Sequence, residues 1–102
     1  PAHTREVFYQ DCPAGTEDFA LAHLTPQATL PQITPAKLGL GHTTCAKSYV
    51  RCLYDNAIPT EFQAEMVRDW PAKDVYEMPT SHSPFFSDPT GLAALINTIL
   101  KE

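Results

Sequence analysis

"KSYVRCLYDNAIPTEFQAEMVRDWPAKDVYEM", residues 47–78, decides the fold. Its opening run, 47–54, is rich in Tyr, Val, Cys and Leu and reads as a buried strand. The strand ends at Asp55. Thr60 then opens a helix, and Gln63, three positions on, completes a capping box. Phe62, Met66 and Trp70 fall at i, i+4 and i+8 and predict one apolar face. Pro71 stops the helix. "DVYEM", residues 74–78, is a second short strand.

Downstream, "PTSHSPFFSDP", residues 79–89, is a loop rich in Pro, Ser and Thr. Asp88 and Pro89 supply the N-cap and first residue of a last helix. Leu92, Leu95, Ile96 and Ile99 give that helix an apolar stripe, and Lys101 lies in its final turn. The order strand, helix, strand, helix predicts an α/β arrangement, with a right-handed crossover setting the strands parallel. Two strands do not make a stable parallel sheet alone, because such sheets need both faces covered and further neighbours. Residues 47–102 are therefore expected to be the end of a larger α/β sheet. Alone, the chain is expected to expose a strand edge and one face of the last helix, and to aggregate or bind a partner.

Upstream the chain changes character near residue 40. Pro13, Pro26, Pro31 and Pro35 punctuate the first part. One helix is predicted there, "EDFALAHL", capped by Thr16 and carrying Glu17 and Asp18 in its first turn. Phe19, Ala22 and His23 share a face of it. This loop-rich segment reads as a lid or arm. "LGLGH", residues 38–42, is a flexible joint; with no strand before it and no helix after, it is not a dinucleotide fingerprint.

The chain has 102 residues, 43% hydrophobic and 19% charged, enough for one domain with a real core. The net charge is −5, and the seven Lys and Arg residues never cluster, which argues against nucleic acid and anionic membranes as partners. No apolar run approaches a membrane span. Pro1 is not a translation start, and no signal-peptide pattern follows it, so a processed or excerpted chain is expected. Cys12, Cys45 and Cys52 are odd in number and form no Cys-x-x-Cys pair. Reduced thiols in an intracellular, cytoplasmic protein are expected.

Working residues of open α/β sheets sit just beyond the carboxyl ends of the strands. Asp55 follows the first strand and His82 follows the second. If the strands are parallel, both emerge on one edge. A carboxylate there would fix the imidazole tautomer, and the other ring nitrogen would take a proton from a nucleophile. Two plainer readings stand beside this one. "DN" at residues 55–56 favours turns, and a loop histidine is often only solvated. The loop itself is pinned by Pro79 and Pro84, with Ser81 and Ser83 supplying local hydrogen bonds and Phe85 and Phe86 packing inward. Such rigidity suits a positioned base.

These residues resemble the carboxyl-terminal end of the α/β-hydrolase superfamily, in the esterase branch related to plant methylesterases and hydroxynitrile lyases. The branch's C-x-x-D-x-x-I-P motif is met by Cys52, Asp55, Ile58 and Pro59, its F-Q pair by Phe62 and Gln63, and its histidine by "SHSPFFSDP". "FYQDCPAGTEDFALAHLTPQA" resembles the second half of that branch's cap. The resemblance covers roughly residues 6–100. It implies that residues 1–40 are a cap remnant lining a pocket. It implies that residues 41–102 are the C-terminal strand-helix-strand-helix portion of the core, the last two parallel strands and their helices. It further implies a Ser–Asp–His triad in which Asp55 orients and His82 is the base.

This sequence departs from the family in two places. The serines, Ser48, Ser81, Ser83 and Ser87, are not in G-x-S-x-G, so the nucleophile and oxyanion donors are expected on a missing N-terminal half or a partner chain. The lyases of the branch carry a lysine after the histidine, where this chain has Ser83, which favours ester hydrolysis. The expected function is part of a serine-type hydrolase of small, apolar carboxylic esters, with no cofactor. The alternatives are a non-catalytic binding module on the same fold, or, more weakly, a hydroxynitrile-lyase-type enzyme. Cys52 is expected to be inert core rather than a nucleophile. His42 and Cys45 are two ligands, too few for a zinc site, so no metal is expected. His3 reads as tail and His23 as surface.

Overall fold

Four residues of the first predicted strand and four of the second find each other. In the computed structural model, which describes residues 3–102, β1 spans Tyr49–Cys52 and β2 spans Val75–Met78. They pair in parallel, with Tyr49 opposite Val75, Val50 opposite Tyr76, Arg51 opposite Glu77 and Cys52 opposite Met78. The readings placed on Pro1, and the first two residues of the 1–40 segment, lie outside the described residues. The register sets an ion pair across the strands, from Arg51 to Glu77 at 2.9 Å. Such opposed charges on a sheet face are mildly stabilising. Pairing runs on past the strands. The Leu53 N–H donates to the Met78 carbonyl and the Tyr54 N–H to the Thr80 carbonyl, both at 3.0 Å. The chain leaving β1 and the chain leaving β2 are thereby held side by side, with Asp55 beside the approach to His82.

Six helices complete the described chain: α1 Thr16–His23, α2 Leu30–Ile33, α3 Gly41–Thr44, α4 Thr60–Met66, α5 Pro84–Ser87 and α6 Pro89–Lys101. A π-helical turn covers Arg5–Tyr9 and a 3-10 turn Ala72–Asp74. The start of α6 is as the sequence predicts: Asp88 accepts from the Gly91 N–H at 2.9 Å, and Pro89 is the first helical residue. Along α6, Leu92, Leu95 and Ile99 are half-buried, while Ile96 stays exposed. None of the helices in the described residues is long and apolar enough to cross a membrane.

Four local expectations are corrected. The capping box at Thr60 does not form: the N-cap is Pro59, without a side-chain bond, and the Thr60 hydroxyl accepts from Arg51 at 3.1 Å. The predicted face of Phe62 and Met66 is turned outward, 59% and 47% exposed, and Gln63 and Val67 are buried instead. The physical reason is the Gln63 carboxamide. It accepts from the Cys52 N–H at 2.9 Å and donates to the Cys52 carbonyl at 3.1 Å, as a neighbouring strand would. That clamp sets the rotation of α4. Thr16 opens α1 without capping it: the N-cap is Gly15, at a φ of 89° that glycine adopts without strain. The 38–42 joint also runs directly into the single turn of α3.

The apolar core is aromatic and lies between the amino-terminal segment and the His82 loop. Tyr9, Cys12 and Ala20 are buried, with Phe86 packed against them. Tyr9 and Phe19 both meet Phe86 edge-on. Of the phenylalanine pair, Phe86 therefore packs inward as predicted and Phe85 does not, being 57% exposed. Residues 21–46 are exposed throughout, including Leu30, Ile33, Leu38 and Leu40. On the far side of β1, Trp70 stacks edge-on to Tyr49 and lies under the Lys47 ammonium, 5.6 Å from the ring centre.

Candidate active site

Asp55 ends the β1 extension in a tight turn, and the two oxygens of its carboxylate divide the work. Oδ1 accepts from the Ala57 and Ile58 N–H groups at 2.8 and 2.9 Å. The turn reading of "DN" is therefore correct for this oxygen. Oδ2 lies 2.9 Å from His82 Nδ1. The Asp55 side chain is 5% exposed and that of His82 34%. The turn bonds and a carboxylate–imidazole contact thus coexist in one residue. A carboxylate accepts only, so with Asp55 ionised the proton on this contact belongs to Nδ1. Nε2 is then left with its lone pair on a ring that solvent reaches.

Gln63 completes the turn. Besides clamping Cys52, its amide donates to the Ile58 carbonyl at 2.6 Å and meets Asp55 Oδ2 at 3.4 Å. It is 2% exposed, so these bonds have no water to replace them. The sequence reading assigned Gln63 to a helix cap and missed this role. A glutamine three residues into a helix is an ordinary capping signal, and the strand partner eleven residues earlier gives no local sign. Replacing Gln63 by leucine orphans the Cys52 N–H and the Ile58 carbonyl. A destabilisation of about 2–4 kcal/mol is expected, read from the urea midpoint. A change of less than about 0.5 kcal/mol, the size of an ordinary surface substitution, would contradict the clamp.

The amino-terminal segment docks on both loops. The Phe8 ring meets the His82 ring edge-on, with centres 5.3 Å apart. Asp11 Oδ2 accepts from the Ser81 N–H at 2.8 Å, and the Asn56 amide donates to the Glu6 carbonyl at 2.7 Å. Ser81 and Ser83 are buried, at 0% and 2% exposure. The bonds of Ser81 reach across the molecule to Asp11 and Phe8 rather than staying within the loop.

Burial pushes the Asp11 carboxyl up, but hydrogen bonds from the Ser81 side chain and backbone outweigh it and hold the group below its ordinary 3.8. The folded value is the depressed one, so this contribution to docking is present above the ordinary value and lost as pH falls through the lower folded value. The Ser81 amide shift, followed from about pH 6 to about pH 2, should step only below the usual Asp range. A step near neutrality would contradict the contact.

The surroundings of Cys12 and Cys52 disfavour the thiolate form. Burial pushes both Cys52 and Cys12 up from their ordinary value, and for Cys12 the Asp11 charge adds to it. Among the described residues no cluster of three His, Cys, Asp or Glu side chains has metal-binding geometry. Cys45 is exposed, with its thiol 3.8 Å from the His42 carbonyl. His23 is exposed on α1 and stacks on Phe19. An open cleft of about 470 Å³ is lined by Gln10, Tyr54, Asp55, Asn56 and Pro59 but not by His82.

No protein-family model matches the chain. Curated relatives do. Methylesterase 17 of Arabidopsis thaliana is 31% identical over 102 residues, 94% of this chain and 37% of that protein. The Pyrethroid hydrolase of Sphingobium wenxiniae is 32% identical over 93 residues, 90% of this chain and 33% of that protein. A crystal structure of a pyrethroid hydrolase from Sphingobium faniae JZ-2 matches with a TM-score of 0.73 at 28% identity, over 95% of this chain and 39% of that one. A crystal structure of the pyrethroid hydrolase PytH gives 0.75, over 98% and 40%. This chain belongs to the α/β-hydrolases. It corresponds to the C-terminal part of that fold and spans about a third of the length of the curated relatives above. The parallel pair β1–β2 and the helices around it fit a C-terminal part of that fold, and its relatives are esterases and hydrolases.

Proposed function

We propose that this chain supplies the orienting carboxylate and the general base of a serine-type carboxylic ester hydrolase. The nucleophilic serine and the oxyanion donors would lie on polypeptide outside these residues. The observation that carries the reading is the 2.9 Å contact between a buried Asp55 and a partly exposed His82, at the ends of two adjacent parallel strands. The relatives named methylesterase and pyrethroid hydrolase agree with it.

In the proposed reaction, His82 Nε2 takes the proton of the serine hydroxyl as its oxygen attacks the ester carbonyl. The imidazolium then gives that proton to the departing alkoxide, which leaves as the alcohol. Water repeats the sequence on the acyl-serine, releasing the acid and restoring the hydroxyl. Asp55 stays ionised throughout and stabilises the imidazolium. The amino-terminal segment brings Phe8 against the base, and the arm beyond it exposes Leu24, Leu30 and Ile33. These surfaces favour small apolar esters and a cap role for the segment. Ser83, buried and uncharged beside His82, favours hydrolysis over cyanohydrin cleavage.

The test is reconstitution. This chain is combined with the serine-bearing polypeptide, and p-nitrophenyl acetate hydrolysis is measured. The assembled pair is expected to turn over and neither piece alone. An assembled pair without activity overturns the proposal.

A further inference from the structure

The base of this site sits on a loop with few ties of its own, and the tie that matters comes from the other end of the chain. Ser81, the residue before His82, is fully buried, and its N–H donates to Asp11, seventy positions away in sequence, at 2.8 Å. On the side of Asp11 facing the arm, Cys12 lies in the aromatic core and its thiol meets Asp11 Oδ1 at 3.8 Å. One carboxylate therefore joins the core packing of the arm to the backbone that carries the imidazole. Two neighbouring contacts run the same way: Gln10 donates to the Tyr54 carbonyl at 2.5 Å, and Phe8 lies edge-on to the ring.

We infer that Asp11 is a positioning residue for the base. It holds the Ser81–His82 backbone so that Nδ1 stays on Asp55, and through it the arm governs whether the base is in place. The inference rests on the ester-hydrolase reading for its kinetic consequence, though not for its geometry. A buried amide donor that loses its acceptor either remains unsatisfied or turns the loop to find water. A turned loop moves the imidazole away from the carboxylate, and displacements of about 1 Å cost catalysis up to about a hundredfold. The ground-state binding of an ester does not depend on that alignment.

The experiment compares Asp11→Ala with Asp11→Asn, which keeps an acceptor oxygen of the same shape. Two readouts are taken on the assembled enzyme: the kcat and KM of ester hydrolysis, and hydrogen exchange of the Ser81 amide. Asp11→Ala is expected to lower kcat about tenfold with KM within about twofold, and to speed Ser81 exchange by about the same factor. Asp11→Asn is expected to recover most of both. Unchanged Ser81 exchange in Asp11→Ala overturns the inference, and so does a kcat loss that Asp11→Asn leaves unrepaired. If the wild-type assembly hydrolyses no ester, the hydrolase reading fails, and Ser81 exchange in the two variants still decides the role of Asp11.

Discussion

Replacing His82 by alanine in the assembled enzyme is expected to lower kcat by about 10⁴- to 10⁶-fold, the range seen when the base of a serine–histidine pair is removed. The expectation follows from position. The ring makes its one side-chain hydrogen bond among the described residues to Asp55, and its remaining nitrogen would be the base at the strand ends. The substitution should leave assembly intact. The buried part of the loop is held by Ser81, Ser83 and Phe86, none of which needs the imidazole to stay packed. Size-exclusion chromatography of the variant with the serine-bearing polypeptide checks assembly, and kcat/KM checks the chemistry. A variant that assembles and retains more than about a tenth of wild-type turnover contradicts the assignment, because that residue is far above what binding and an oxyanion hole supply alone.

Asp55→Asn separates the two tasks of that carboxylate. The amide oxygen of asparagine can still accept from Ala57 and Ile58, so the turn and its contribution to stability should survive. The other atom becomes an NH₂ donor facing Nδ1. It forces the wrong tautomer, with the proton on Nε2, and it cannot stabilise an imidazolium. A loss of about 10⁴-fold in kcat is expected, with the urea midpoint nearly unchanged. Asp55→Ala should lose both, because the two turn amides then have no acceptor. Equal stability losses in the two variants would show that Oδ1 does not carry the turn. Wild-type turnover in Asp55→Asn would show that Oδ2 does not orient the base.

The pieces that could be read from the sequence are those whose signal is local or periodic. A run rich in Val, Tyr, Cys and Leu marked the first strand, the short "DVYEM" the second, and Asp88–Pro89 the start of α6. Asp55 and His82 were legible together because strand order places successive strand ends on one edge, and the parallel register brings them within 2.9 Å. What stayed hidden depends on partners distant in sequence. Gln63 looks like a cap and is a strand mimic, because its partner backbone at Cys52 is revealed only once the chain folds. That clamp also explains why Phe62 and Met66, apolar and correctly spaced, face outward. Asp11 had no local signal beyond being the one acid within "FYQDC", and its partner lies at the other end of the chain. The Phe85–Phe86 pair shows the same limit: the two rings touch, yet only Phe86 packs against the core while Phe85 stays exposed.

His82 is proposed to serve a serine on a polypeptide bound to this chain. A serine-reactive phosphonate, applied to the assembled material and read by intact mass, tests it most directly. A single adduct is expected on the bound polypeptide, formed at a rate that collapses in the His82→Ala variant. An adduct absent from every polypeptide bound to this chain, or one that forms equally fast without the imidazole, would contradict it.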